Sequence, residues 1–146
     1  MVVVNLFVTF ALNIHLYMEK REYIRHIVAF KDYFKDFKKT VPRKVIEKIY
    51  QVFIYIMTLE KIPSLYFKSI DGIQGLYEIR IEESSNIYRI FCCLDEGNLI
   101  ILFNAFQKKS PKTPKSEIEK AKRIMTEYYE QKNKQSAYGQ GNNERT

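Results

Sequence analysis

The sequence has few of the residues that mark metal sites, disulfide frameworks or low-complexity chains. Its 146 residues include 2 cysteines and 2 histidines, without the Cys/His spacing of a zinc site. Glycine and proline number 5 and 4, and the phosphate-loop pattern GxxxxGK[ST] is absent. Aspartates are few and scattered, which argues against a two-metal phosphoryl-transfer centre. With 46% apolar residues, the chain is nevertheless long enough to fold as one domain around a hydrophobic core.

The two cysteines also exclude an ordinary structural disulfide. Cys92 and Cys93 are neighbours in the sequence, so their side chains cannot bridge without strain. Two thiols without a disulfide framework predict a reducing, cytoplasmic location. No residue in the sequence pattern pairs with Cys93 as a base, so a nucleophilic role for it is not supported.

The charge is positive and unevenly distributed. The chain carries 24 Lys and Arg against 17 Asp and Glu, a net charge of +7. The excess lies in segments 19–60 and 107–146, on either side of a nearly balanced middle. This distribution favours a polyanionic partner, with nucleic acid first. An acidic protein partner or an inert basic surface fits the charge equally well.

The first 17 residues differ from the rest of the chain because they are apolar and almost uncharged. A secretory signal would need a basic start and a small-residue cleavage site, and a membrane helix would need about 20 apolar residues. Composition changes abruptly at Glu19. We therefore expect 1–17 to be an apolar leader from an upstream start codon, with the functional chain beginning near Met18. A membrane anchor is the alternative.

Hydrophobic spacing predicts an α+β fold, with a helix hairpin and a C-terminal helix packed on a small antiparallel sheet. We expect a first strand over 23–30 and then two helices, around Phe30–Phe37 and Val41–Leu59. Three runs separated by hairpin turns predict a meander of strands at Leu76–Glu82, Ile87–Leu94 and Leu99–Phe106.

Residues 18–132 are expected to form this one domain. Pro114 follows a fair N-cap residue, Thr113, and predicts a basic helix over about Lys115–Lys132. The polar segment 133–146 is expected to be a disordered tail.

The turn lengths of the meander predict which side chains face each other. A first turn of two or four residues places Arg80 directly opposite Arg89, and a second turn at Glu96-Gly97 places Arg89 opposite Asn104. One face is then uncharged and should pack on the helices; it holds Tyr77, Ile79, Ile81, Tyr88, Ile90, Cys92, Leu94, Leu99, Ile101, Phe103 and Ala105. The other is polar, mostly cationic and partly aromatic; it holds Glu78, Arg80, Glu82, Arg89, Phe91, Asn104, Phe106 and Lys108.

This polar face has two interpretations. It is either a solvated surface on which Glu78 and Glu82 compensate the two arginines, or a site where both guanidinium groups converge on a phosphate. RNA cleavage without a metal suits the second interpretation, because the substrate supplies its own 2′-OH nucleophile. Arginine or lysine stabilises the developing charge, and a carboxylate or lysine accepts the proton. An aromatic ring such as Phe106 could stack on a base.

Three segments together resemble a known family: GLYEIRIEESSNIYRIF (Gly75–Phe91), EGNLIILFNAFQKK (Glu96–Lys109) and KTPKSEIEKA (Lys112–Ala121). They are similar to the phage-derived HigB-like toxins of the RelE/ParE superfamily of type II toxin–antitoxin systems. The resemblance covers about residues 22–130. It implies a RelE-like fold and a cytoplasmic, ribosome-dependent mRNA endoribonuclease that inhibits translation. The reaction would leave a 2′,3′-cyclic phosphate and a 5′-OH and use no metal or other cofactor.

The partners that the resemblance implies are mRNA on the ribosome and a helix-turn-helix antitoxin of the HigA-like kind. Operator DNA would be bound only through that antitoxin, and no membrane is involved.

The resemblance also implies roles for individual residues. Arg80 and Arg89 would contact the scissile phosphate or its neighbours, and Lys68 lies where such toxins often place a basic residue that meets RNA. Stacking on a base would fall to Phe106. The remaining RNA-binding candidates are three lysines: Lys108, Lys109 and Lys112.

The sequence also departs from the family. Some relatives use a His–Asp–His set that has no counterpart here, and others use a tyrosine near the chain end. The nearest tyrosines, Tyr128 and Tyr129, fall inside the predicted last helix. The general base therefore stays open between Glu78, for which an ion pair is favoured, and Lys68. The alternatives are a non-catalytic nucleic-acid-binding module or inactive toxin remnant, and a membrane-tethered or partner-binding protein.

Overall fold

A computed structural model describes residues 22–141, so the expectations about residues 1–17 lie outside it. Five strands and three α-helices follow one another along this part of the chain. The strands are β1 (His26–Ala29), β2 (Phe67–Ser69), β3 (Leu76–Glu83), β4 (Asn86–Asp95) and β5 (Leu99–Lys108). Helices α1 (Tyr33–Lys38) and α2 (Arg43–Thr58) lie between β1 and β2, and α3 (Lys115–Gly141) follows β5.

The strands form one sheet in the order β1-β5-β4-β3-β2. The α+β prediction is confirmed, but the sheet is mixed rather than antiparallel because β1 runs parallel to β5. That pairing joins residues about 70 apart in sequence, with His26 opposite Leu99, and short-range turn signals carry no information about it. The three-residue strand β2, which pairs antiparallel with β3, was also not predicted.

Helices α1 and α2 cover one face of the sheet. Along α2, the apolar residues at helical spacing are fully buried and form a single stripe. They pack against sheet residues that are also inaccessible, so this layer is the larger core: Val45, Ile49, Val52, Ile56, Ile79, Ile81 and Ile90. The paired helices were predicted from this spacing, and their bounds agree with it to within a few residues.

Helix α3 covers the opposite face, which was expected to be polar. Ala121 and Ile124 pack there against Leu76, Phe91 and Phe103 in a second core. Arg80 and Arg89 lie toward one end of the sheet, and Asp95, which bonds Tyr128 and Lys132 of α3, lies at the other end. The prediction that Leu99, Ile101 and Phe103 share the α2 face is wrong, since they belong to the α3 core.

The β4–β5 turn explains this misplacement. Asp95 pairs with Leu99, so three residues lie between the strands, and this odd turn shifts the pairing by one residue from the prediction. A β-bulge in β5 then adds a second shift. Arg80 is opposite Arg89, as predicted, but Arg89 faces Phe106 and not Asn104. Pairing shifts by one residue between Ile90 and Cys92, so two residues of β5 oppose one of β4. The run Leu99–Phe106 is almost continuously apolar, and alternation therefore could not fix its register.

Helix α3 begins at Lys115, as predicted, and extends to Gly141. Residues 133–141, which were expected in a disordered tail, are therefore helical, and 142–146 lie outside the part that the structure describes. Between residues 22 and 141, no helix is long and apolar enough to cross a membrane.

Candidate nucleic-acid interface

Four charged residues of three adjacent strands share one side of the sheet. Lys68 on β2 is opposite Glu78 on β3, and Arg80 on β3 is opposite Arg89 on β4. Directly opposed residues point to the same side, as do residues two apart on a strand. We call these four residues the cationic patch.

The Glu78 carboxylate lies between the two guanidinium groups. Its Oε1 is 3.7 Å from Arg80 Nε, and its Oε2 is 3.6 Å from Arg89 Nε. Both distances suit ion pairs but exceed hydrogen-bond length. Within residues 22–141, both Nε atoms are buried and have no hydrogen-bond partner. The guanidinium groups of Arg80 and Arg89 therefore share the Glu78 carboxylate as an ion-pair partner, while their Nε atoms donate no hydrogen bond within residues 22–141.

The two arginines differ in access. Arg89 is 2% exposed, and its Nη1 donates a 3.1 Å hydrogen bond to the Tyr88 carbonyl. Burial lowers the pKa of Arg89, the Glu78 carboxylate opposes that shift, and Arg80 adds to it. A guanidinium still stays protonated in a protein. Arg80 keeps 32% of its side chain exposed, so it is the arginine that a bound anion would meet.

The predicted lysines are at or near the surface. Lys68 is exposed on β2, and Lys109 and Lys112 are exposed between β5 and α3. Lys108 ends β5 opposite Ile87 and is half-buried. None of these four forms an ion pair with a residue between 22 and 141, so their charges are available to a polyanion.

Phe106 is too deeply buried to stack on a base at the open surface of the sheet. It is 8% exposed, and its ring centroid lies 5.5 Å from that of Phe91. It is the register partner of Arg89. The stacking role therefore remains a prediction, and the ring faces the protein interior and a neighbouring groove rather than open solvent.

The tyrosines near the chain end lie at the far end of the sheet. Tyr128 donates a hydrogen bond to the Asp95 carboxylate, and the Tyr129 hydroxyl lies beside the Cys93 thiol. Asp95 is six residues along β4 from Arg89, about 20 Å at strand rise. Burial raises the pKa of Tyr129 to about 12 and that of Cys93 to about 11. Both groups are neutral at pH 7, and neither tyrosine is the base of the cationic patch.

Asp95 predicts a measurable pH dependence of stability. Burial alone would raise the pKa of Asp95, but hydrogen bonds from Lys132, Tyr128 and the Glu96 N–H outweigh it, and the net pKa is lowered. Such a carboxylate stabilises the fold above its unfolded pKa of about 4, and that stabilisation is lost as pH falls through the folded value. We expect Asp95→Asn to cost about 1 kcal/mol at pH 7, and the difference to shrink as the pH is lowered below the unfolded pKa. Urea unfolding at pH 7 and over the acidic range measures this, and a pH-independent difference would contradict it.

The fold defines a class of protein. A five-stranded mixed sheet with helices on both faces is consistent with a RelE-like fold. Residues 32–126 match the family model described as Phage derived protein Gp49-like (DUF891). The match covers more than half of the chain, so the chain belongs to this family, which is a RelE-like toxin family of toxin–antitoxin systems. No curated protein matches the chain.

Sequence reasoning missed one feature of this region, a groove beside β5 that Asn104 helps to line. The available signal was a single polar residue inside an apolar strand. Residues 22–141 hold no group of three His, Cys, Asp or Glu side chains that could bind a metal ion.

Proposed function

We propose that this chain is the toxin of a type II toxin–antitoxin system, of the HigB-like kind, and that it cleaves mRNA on the ribosome. The observation that carries the proposal is the convergence of Arg80 and Arg89 on one carboxylate, Glu78, with their Nε donors unsatisfied. A phosphate has the same charge sign and the same planar-fork complementarity to arginine. Membership of a RelE-like toxin family supports the same conclusion.

The reaction needs only the RNA, the groups of the patch and solvent. The 2′-OH gives up its proton to a base of the patch and attacks the adjacent phosphorus. The bond to the 5′ oxygen breaks, that oxygen takes up a proton from solvent, and a 2′,3′-cyclic phosphate and a 5′-OH result. Arg80, which is partly exposed, stabilises the negative charge that develops on the phosphate oxygens. Arg89 is buried behind it and fixes the Glu78 carboxylate. Lys68 supplies further positive charge from β2.

The proton acceptor for the 2′-OH is one of two groups in the patch, Glu78 or Lys68. Both oxygens of Glu78 face guanidinium groups, which matches its expected ion-pair role. Lys68 is exposed and forms no ion pair with residues 22–141.

Two substitutions of Lys68 distinguish a role of its positive charge from a role in accepting a proton. We expect Lys68→Ala to lower cleavage about tenfold, less than the roughly hundredfold or greater effect of a preorganised acid–base or charge-stabilising group, because the charge of an exposed lysine is partly screened by solvent. Lys68→Arg should retain most activity if the charge is what matters, because arginine stays protonated and cannot act as a base. Initial rates on ribosome-bound mRNA measure the difference. Equal loss in both variants would assign proton transfer to Lys68, and no loss in either would remove it from the site.

The proposal includes partners. The toxin would act in the cytoplasm on mRNA held by the ribosome, without a cofactor, while a HigA-like helix-turn-helix antitoxin neutralises it. Operator DNA would be bound through that antitoxin. The net charge of +7 suits both RNA and an acidic antitoxin surface.

Tightly controlled expression of the full chain in bacterial cells tests the function. We expect growth arrest together with new mRNA 5′ ends, mapped by primer extension, that are absent from cells with the empty vector. A chain that is made, soluble and harmless, and that leaves mRNA ends unchanged, would overturn the proposal.

A non-catalytic RNA-binding module is the second candidate. Its support is the placement of the usual catalytic side chains: Tyr128 is held by Asp95 at the far end of the sheet. His26, the one histidine within residues 22–141, lies on the edge strand β1. Under this alternative, the chain would bind RNA through the cationic patch but produce no new ends.

A further inference from the structure

A groove runs along β5 between α1 and the first turns of α3. Its volume is about 350 Å³, well above that of a single nucleobase and within the range of small-molecule sites. Strand β1 pairs with β5 only from Leu99 to Leu102, so the later part of β5 is free to form the groove floor. The lining residues are Tyr33, Asp36, Phe37, Thr40, Val41, Asn104, Ala105, Phe106, Gln107 and Lys120.

The lining combines flat aromatic rings with polar groups. Three of its members are aromatic: Tyr33, Phe37 and Phe106. Lys120 on α3 places its ammonium 5.7 Å from the centroid of the Tyr33 ring, and Asp36 supplies a carboxylate on the other wall. Aromatic surface with a few polar groups is the lining that unstacked RNA bases require.

The side-chain oxygen of Asn104 is a buried hydrogen-bond acceptor to which no group within residues 22–141 donates. The residue is 2% exposed, and its Nδ2 donates to the Glu117 carbonyl at 3.1 Å and to Glu117 Oε2 at 3.0 Å. Both partners are acceptors, which fixes the orientation of the amide. Its Oδ1 is buried and has no hydrogen-bond partner between residues 22 and 141. Because this oxygen is closed to solvent, an N–H donor at the edge of a base could satisfy it only after the side chain turned toward the groove.

The groove is next to the cationic patch. Phe106, which lines it, is the direct register partner of Arg89, and neighbouring strands lie about 4.8 Å apart. A nucleotide whose phosphate is at Arg80 could therefore place a base on the β5 side.

We propose that the groove binds one nucleobase of single-stranded RNA, so that it positions the nucleotide next to the cleaved bond. This inference rests on the proposed function for its substrate class. The base lies against the aromatic lining, and one of its N–H groups donates to Asn104 Oδ1 once that side chain has turned toward the groove. Phe106 then contributes to base binding through the groove rather than through the open face of the sheet.

Nuclear magnetic resonance on the purified full chain tests base binding directly. The probes are AMP, CMP, GMP and UMP, with ribose 5-phosphate as the control that has the same phosphate and sugar but no base. We expect at least one nucleotide to shift the Asn104 side-chain amide and the Ala105 and Gln107 backbone amides in a saturable way. Ribose 5-phosphate should leave these three signals in place.

Two variants at Thr40 provide the matched control. Its hydroxyl donates to the Phe37 carbonyl at 2.7 Å, and both Thr40→Trp and Thr40→Ala lose that bond. Only Thr40→Trp fills the groove. We expect Thr40→Trp to weaken nucleotide affinity about tenfold, as for the loss of one stacked base, and Thr40→Ala to change it less than about twofold, since it removes no stacking contact.

The result separates this inference from the proposed function. Saturable shifts with nucleotides alone, lost in Thr40→Trp, support the groove. Equal shifts with ribose 5-phosphate, undiminished affinity in Thr40→Trp, or no shift with any nucleotide would overturn it. New mRNA ends in cells are scored independently: if they appear while the groove signals stay unchanged, the inference fails and the endonuclease stands. A groove that takes a peptide of a protein partner would give that same pattern.

Discussion

Replacing Arg80 by alanine is expected to lower the rate of mRNA cleavage at least about a hundredfold. The reason is that one preorganised donor aimed at the developing charge of a transition state typically contributes that much. Arg80 has a third of its side chain exposed and carries a Nε that no group hydrogen-bonds within residues 22–141. Initial rates on ribosome-bound mRNA measure the effect.

The control for this variant is Arg123→Ala, which removes the same charge from an exposed position of α3. It should cleave within about twofold of the parent, because an exposed charge away from the site acts only through the weak long-range field. Circular dichroism and thermal melting must show both variants folded. Similar rates for Arg80→Ala and Arg123→Ala would remove Arg80 from the catalytic site.

Replacing Arg89 by methionine is expected to destabilise the fold by about 3 kcal/mol, at the lower end of the cost of breaking a buried ion pair. Arg89 is 2% exposed and Glu78 is 8% exposed, so the variant leaves a poorly solvated carboxylate with only Arg80 beside it. Urea unfolding at neutral pH measures the loss.

A second substitution tests whether the buried Glu78 carboxylate, left without Arg89, causes the loss of stability. The double variant Arg89→Met with Glu78→Gln removes the buried carboxylate as well, and we expect it to recover a large part of the lost stability, since a neutral replacement of both partners is tolerated. If Arg89→Met unfolds with the parent's free energy, or if the double variant is the less stable of the two, Glu78 and Arg89 do not form a stabilising buried pair.

The central pair of the site was predictable because a symmetric turn determines it. The β3–β4 hairpin closes with Glu83 opposite Asn86, and turn length alone then places Arg80 opposite Arg89. The same parity places Glu78 beside both arginines. The helix stripe of α2 was predictable for a similar reason, since its apolar spacing is regular and its partners on the sheet are uncharged.

Other features depended on information that local patterns do not hold. The odd β4–β5 turn and the bulge in β5 are invisible in a run where nearly every residue is apolar. The turn places Phe103 under α3, and the two shifts together move Asn104 away from Arg89. The burial of Phe106 depends on Phe91 and α1, which are distant in sequence. Likewise, the placement of Tyr128 and Tyr129 beside Asp95 and Cys93 depends on how α3 packs on the sheet, which the local pattern does not give.

The chemistry of the RNA ends tests the account most directly. A purified translation system programmed with a defined mRNA, and supplied with the full chain, should yield fragments with a 5′-OH, which polynucleotide kinase labels without prior phosphatase treatment. The matching upstream fragments should end in a 2′,3′-cyclic phosphate, as attack by the 2′-OH requires, and the same mRNA without ribosomes should stay intact. Fragments with a 5′-phosphate and a 3′-OH would show that a water molecule, and not the 2′-OH, is the nucleophile, and would contradict the mechanism. An intact mRNA on the ribosome would contradict the proposed endonuclease itself.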